Sequence, residues 1–537
     1  MGLAESRNPD FGQALSSLEV LRPCGSGCTW PSSPEGSGPS RPGHPCTTPD
    51  TPLRSATGAT PSAATNPRPP TPLHRRGRLW TLAWPLSSME VLTFGKEIII
   101  TAFVGHLGPL ELSSLVLSQT LYNVSGNAPM LGVVAAMETF CGQAYGAKRY
   151  LSLGTVLQRA LLITTLFNLC CVACWGQAER LMLAMGQDPQ ISRAAGRFTL
   201  LLAPCLLMDG WDQCMRRYLS AQSVVQPLML VTLVATMMTP FYLWYFIVSC
   251  GMGFDGAAIA WNCCQATSTT GLLLFVLYHN AGQDPVTRTW GGWSRDSLQD
   301  WDLYIRVALP SAVMICLDWW TFEIIVMLSG LLPRPETTMS MMGITFNVHA
   351  LCFFAAHGLS GAASTRVGNE LGADRPRQAW LNTQVAVFLG TVSMIGFAGS
   401  LLLLRNHVGA WFSGDPEVVL LTSQAVPTLA ISLIGEGANT VLAGVLRGCG
   451  RQKIGATINL VMYWGLGLPF SCFLAFRVGM GAMGLWTGLA CTASLQALLL
   501  SYVVFKFDWP AEAIRAKELI ASGELELEPE EDFEDQE

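Results

Sequence analysis

Asp318, Glu323 and Glu436 are the residues best placed for chemistry, because each is a carboxylate set inside a long apolar run. Asp318 and Glu323 lie in LPSAVMICLDWWTFEIIVMLSG, from Leu309 to Gly330. Glu436 lies in LAISLIGEGANTVLAGVL, between Gly435 and Gly437, which let other groups approach closely. A charged side chain near the centre of a bilayer costs roughly 2.5–3.5 kcal/mol on insertion scales, so such groups usually face a cavity and mark an ion or substrate path. Five positions on a helix turn through about 140°, which puts Asp318 and Glu323 on one broad side. A proton and an organic cation compete for the same carboxyl oxygens, so each excludes the other; that competition is the coupling an exchange process needs.

Other polar groups fall at similar depth. Glu90 and Glu97 lie in the first apolar run, Glu138 ends the second, and Asp209 and Asp212 occupy the fourth. Glu97, Glu138 and Asp209 are secondary candidates for the coupling site; Glu97 adjoins Lys96, which offers it a counter-charge. Trp319, Trp320, Phe322, Phe346, Phe353 and Phe354 offer flat faces to an organic cation, with lipid or core packing as the other use of such rings. Asn347 and His349, in ITFNVHALCFFAAHGL, add polar handles, a satisfied core histidine being the alternative for His349. The expected substrate-binding set is Trp319, Trp320, Phe346, Asn347 and His349.

The elements that position these groups are membrane helices. The chain is 50% hydrophobic and 13% charged, against about 25% charged for soluble domains. Apolar runs of about 20 residues begin near 80, 112, 157, 197, 227, 254, 303, 338, 383, 420, 453 and 480, which predicts an all-α polytopic protein with about twelve transmembrane helices. Lys and Arg gather in alternate loops (Lys148 and Arg149, Arg216 and Arg217, Arg288 and Arg295, Arg375 and Arg377, Arg451 and Lys453), which puts both termini in the cytoplasm. Residues 1–78 are rich in Ser, Thr, Pro and Gly and read as a disordered tail, a transit peptide being the alternative. The expected division continues with an N-lobe at 79–280, a linker at 281–302, a C-lobe at 303–507 and a solvated acidic tail at 508–537. The net charge of −6 argues for no nucleic-acid partner, and the cysteines within apolar runs read as packing residues.

Landmarks of the first half recur in the second. Trp84-Pro85 returns as Leu309-Pro310, Glu97-Ile98-Ile99 as Glu323-Ile324-Ile325, Gly142 and Gly146 as Gly368 and Gly372, Asp188-Pro189 as Asp415-Pro416, and Gly251 and Gly256 as Gly479 and Gly484. By subtraction the offsets run 225, 226, 226, 227 and 228, a slow drift that marks duplication of a six-helix unit. Six is even, so the copies share polarity and form two pseudo-symmetric lobes around a central cleft, an architecture suited to alternating access. The offset of 227 sets Asp209 opposite Glu436.

No Walker loop, HExxH, GxSxG or dinucleotide fingerprint occurs, so no enzyme activity and no cofactor is expected, and energy would come from an ion gradient. METFCGQAYGAKRY from Met137, GAASTRVGNELGA from Gly361 and GVLRGCGRQKIGA from Gly444 resemble stretches of the multidrug and toxic compound extrusion (MATE) family, in its eukaryotic, plant-like DETOXIFICATION branch; the resemblance covers about Leu79 to Phe507. It implies a proton-coupled exporter of organic cations, xenobiotics or secondary metabolites, monomeric, in a plasma or vacuolar membrane. It also implies that Asp318, Glu323 and Glu436 are the functional acids. Two positions depart from the family pattern: Asn347 stands where animal members carry a Glu, and Ile100 where many bacterial members carry an Asp. The alternatives are a sodium-coupled exporter or lipid-linked-substrate flippase of the same fold, and a membrane receptor or enzyme.

Overall fold

The computed structural model describes residues 72–522, and among these every regular element is helical. Residues 1–71 and 523–537 lie outside the described residues. Helix α1 spans Pro72–Gly105 and so begins before Leu79, inside the expected tail. The second apolar run is divided into α2, Pro109–Tyr122, and α3, Ala128–Gly146, by a π-helical turn at Asn123–Asn127. Next come α4, Ser152–Trp175; the short α5, Ala178–Ala184; α6, Pro189–Leu201; α7, Ala203–Ala221; α8, Gln226–Leu243; and α9, Gly253–Ala281.

The second half repeats this with α10, Trp301–Ser329; α11, Pro335–Gly372; α12, Pro376–Val408; α13, Pro416–Gly448; α14, Gln452–Asn459; α15, Leu468–Cys472; and α16, Ala482–Phe505. Proline removes a backbone donor and clashes with the preceding turn. Pro129, Pro240 and Pro469 accordingly lie within four residues of the π-helical turns at Asn123–Asn127, Trp244–Ser249 and Leu460–Gly467. Eight helical stretches are long and apolar enough to span a bilayer alone, and the α6–α7 pair, bent by 45°, makes a ninth. With α1, α2–α3 and α9, which are long but carry more polar groups, the fold accommodates twelve spans in two lobes.

The lobes meet near the face that holds the start of α1 and the end of α16, termed here the terminal face. α1 packs on α11, and α3 packs on both α10 and α11. The contact keeps the symmetry of the repeat. A Cβ on Gly142 would come within 3.5 Å of Gly368 and one on Gly368 within 3.4 Å of Gly142, while a Cβ on Gly146 would overlap the Asn369 carbonyl oxygen and one on Gly372 that of Gln143. Only glycine permits so close a backbone approach. Equivalent amides cross in both directions: Gln143 Nε2 donates to the Gly448 carbonyl at 3.1 Å and Asn369 Nδ2 to the Ala221 carbonyl at 3.0 Å.

Helix α17, Trp509–Ser522, lies where a solvated tail is expected. Trp509, Glu512, Ala513 and Ala516 are buried against the bundle, and Arg451 grips Glu512 with Nε at 3.0 Å and Nη2 at 2.6 Å. The helix packs on α3 of one lobe and on α11 and α12 of the other. Its buried face is one Trp, one Glu and two small Ala, and carries little hydropathy to signal it.

Candidate functional site: the central cleft

A cleft of about 1950 Å³, its open mouth included, lies between the lobes and is lined by Asp318, Glu323 and Glu436 from one side and by Lys96, Glu97 and Asp209 from the other. Glu436 on α13 is buried, and Tyr463 Oη donates to its Oε1 at 2.5 Å. Asp318 on α10 accepts from Asn459 Nδ2 at 2.8 Å, and Asn459 is in turn held by Gln496 Nε2 at 2.7 Å and bonds the Met314 carbonyl. No lysine, arginine or histidine nitrogen lies within 4 Å of Asp318, Glu323 or Glu436 among the described residues. Three acids in one chamber without a bound base leave carboxyl oxygens that can accept from a proton or a cation.

The aromatic set divides. Trp319, Phe322, Phe346, Phe353 and Phe354 line the cleft, with Trp319 6.0 Å from Phe354, and Phe354 5.1 Å from Phe94 of the other lobe. Trp320 instead spans the lobe boundary, its Nε1 donating to the Val124 carbonyl at 3.2 Å. His349 is 2% exposed, sits 5.1 Å from the Phe322 ring and 5.6 Å from Trp486, and leaves Nε2 without a partner at the cavity wall. Asn347 does not join the site. It is exposed, and its amide donates to the Gly343 carbonyl of its own helix at 2.9 Å; two residues before His349, its side chain leaves α11 about 200° away.

The secondary candidates also separate. Asp209 accepts from Gln265 Nε2 at 3.5 Å, and the same amide's oxygen receives Lys96 Nζ at 3.1 Å. Asp212 pairs with Arg216, four residues on in α7, and accepts from Ser268 at 2.8 Å, a neutralised unit inside one lobe. Glu138 forms the floor. Arg447 of the second lobe reaches it at 2.9 Å and Arg217 of the first at 3.4 Å, and beside them His357 Nδ1 lies 3.5 Å from Glu90. These groups also line a smaller adjoining pocket.

Sequence reasoning missed Tyr463, Asn459, Gln496, Gln265 and the two arginines on Glu138. Asn459 and Tyr463 are four apart in an apolar run, the spacing of one helix face, and that was the available signal. Trp320 aside, the inter-lobe side-chain bonds, among them Ser87 to the Ala355 carbonyl and Tyr304 to the Val133 carbonyl, lie toward the terminal face, so the cleft is sealed there.

Comparison with known proteins places this cleft among relatives. The MatE family model matches residues 85–246 and again 310–473, the same two halves that the repeat defines. Protein DETOXIFICATION 16 of Arabidopsis thaliana is 37% identical over 446 residues, 83% of this chain and 91% of that protein. Protein DETOXIFICATION 17 of the same plant is 35% identical over 447 residues, covering 83% and 93%. The crystal structure of the eukaryotic MATE transporter AtDTX14 superposes with a TM-score of 0.79 at 32% identity, covering 84% of this chain and 99% of that one. An outward-facing multidrug resistance MATE family transporter shares the fold alone, with a TM-score of 0.71 at 15% identity over 83% of this chain and 96% of its own.

Proposed function

Because this chain belongs to the MatE family of membrane transporters, we propose that it is a proton-coupled antiporter that exports organic cations, xenobiotics or secondary metabolites. The observation that carries the reading is that Asp318, Glu323 and Glu436 line one cleft wall beside an aromatic surface, without a basic partner among the described residues. Protons arriving from outside load these acids and release the cation; loss of the protons to the inside restores the binding form. Tyr463 and Asn459 orient Glu436 and Asp318, and Trp319, Phe346 and His349 shape the pocket. The lysines and arginines of alternate loops lie on the terminal face, so by the positive-inside rule that face is cytoplasmic. The arrangement is then a cleft closed to the cytoplasm, and rocking of the lobes about the Gly142–Gly368 seam would reopen it. The protein works as a monomer, in a plasma or vacuolar membrane.

The test is uptake of a radiolabelled organic cation into proteoliposomes under an imposed pH gradient. Native protein should take it up, Glu436→Gln should abolish gradient-driven uptake, and Tyr463→Phe should lower the apparent affinity roughly 10- to 150-fold, the range for a hydrogen bond of about 1.5–3 kcal/mol to a charged group. Uptake driven by sodium and indifferent to pH would replace the proton by sodium. Gradient-driven uptake that survives Glu436→Gln would overturn the assignment of the site.

A further inference from the structure

Of the lysine and arginine side chains lining the cleft, Arg217 and Arg447 both end on Glu138. Lys96 differs. It is 8% exposed, lies on α1 at membrane depth and has no carboxylate oxygen within 4 Å among the described residues; its ammonium donates to Gln265 Oε1 at 3.1 Å. A lysine ammonium carries three N–H donors, and a buried donor without an acceptor is costly. Two donors of Lys96 are therefore left to whatever fills the cleft.

The surroundings fit a built subsite. Gln265, itself 3% exposed, is fixed between Lys96 and Asp209, so it holds the ammonium in place. Tyr122, Asn123, Asn127 and Trp261 line the same end of the cavity, and Asn127 Oδ1 is buried without a partner. Glu97 and Asp209 belong to the same wall; beyond 4 Å they offset the lysine's charge without occupying its donors. Across the cleft stand Asp318, Glu323 and Glu436, so the spare ammonium donors of Lys96 on one wall face three acids on the other.

We propose, on the basis of the antiporter reading above, that Lys96 binds an acceptor oxygen of the transported molecule, and that the cleft selects amphoteric substrates carrying a carboxylate or phenolate as well as an organic cation. The cationic end faces Glu436 and Asp318, and the oxygen end faces Lys96. Specificity of this kind rests on leaving a buried donor unpaired when the wrong substrate occupies the site.

The test compares a cationic xanthene dye as its methyl ester with the same dye as the free-carboxylate zwitterion, in gradient-driven uptake and in binding to the detergent-solubilised protein by tryptophan quenching. The native protein should prefer the zwitterion, and Lys96→Met should lower the zwitterion-to-ester affinity ratio at least tenfold, whereas Lys96→Arg should retain most of the preference. A ratio unchanged by Lys96→Met, with both dyes weakened together or neither affected, would overturn the proposal and leave Lys96 a structural charge. Binding needs no gradient, so a protein that binds with the expected ratio but shows no uptake would fail the antiporter reading and not this one. Should Lys96→Met not fold, Gln265→Leu, which frees the ammonium from its tether, must reduce the same ratio.

Discussion

Replacement of Glu138 by Gln probes the latch that closes the cleft. Glu138 receives Arg447 at 2.9 Å and Arg217 at 3.4 Å, from opposite lobes, and the two guanidinium side chains are 6% and 12% exposed. Removing one partner of a buried pair costs about 3–5 kcal/mol, because a charge is left uncompensated. Glutamine keeps an acceptor oxygen for one guanidinium, so the lower figure of about 3 kcal/mol applies. Once the floor opens, both arginines meet water, and the penalty falls on the closed arrangement alone. At about 1.4 kcal/mol per tenfold, the closed-to-open ratio should fall roughly 150-fold. Hydrogen exchange of the native and Glu138→Gln proteins in nanodiscs reads this directly. Residues 137–146 and 361–372, which carry the Gly142–Gly368 seam, should exchange at least tenfold faster, while 485–500 keeps native protection. In Glu138→Gln with Arg447→Gln one of the two uncompensated charges is gone, and the coupling of the two changes should exceed about 0.5 kcal/mol. Native protection in both seam segments of Glu138→Gln would refute the latch.

Gly372→Ala should lower thermal stability by about 1–3 kcal/mol, the range for overpacking, because the new Cβ meets the Gln143 carbonyl; Gly146→Ala should do the same from the equivalent position, whereas Gly343→Ala, with nothing within 4 Å, should be neutral or slightly stabilising. Glu512→Gln should loosen α17, since the paired Arg451 bonds are charge-assisted and worth about 1.5–3 kcal/mol. Limited proteolysis within 508–522 should then run roughly 10- to 150-fold faster, and an unchanged rate would mean that Trp509 and its neighbours hold the helix alone.

Much of this protein is written along the chain. A bilayer gives backbone groups no partner but themselves, so each apolar run had to be a helix, and the acids inside those runs had to face a cavity or, like Asp212, a counter-charge. Duplication was legible because matching landmarks kept one offset, and the seam glycines Gly142, Gly146, Gly368 and Gly372 were among them. What the chain could not state was azimuth. A helix that meets lipid on one side and protein on the other is apolar all round, so its pattern does not say which way a polar residue points. That is why Asn347, two residues from His349, turned out to face outward, and why Trp320 crosses the lobe boundary rather than lining the pocket. It is also why Tyr463, 27 residues from Glu436, and Arg447, 309 residues from Glu138, emerged as partners only in three dimensions. Helix identity is a local property enforced by the solvent, whereas the pairing of buried charges depends on how the helices rotate and pack against one another.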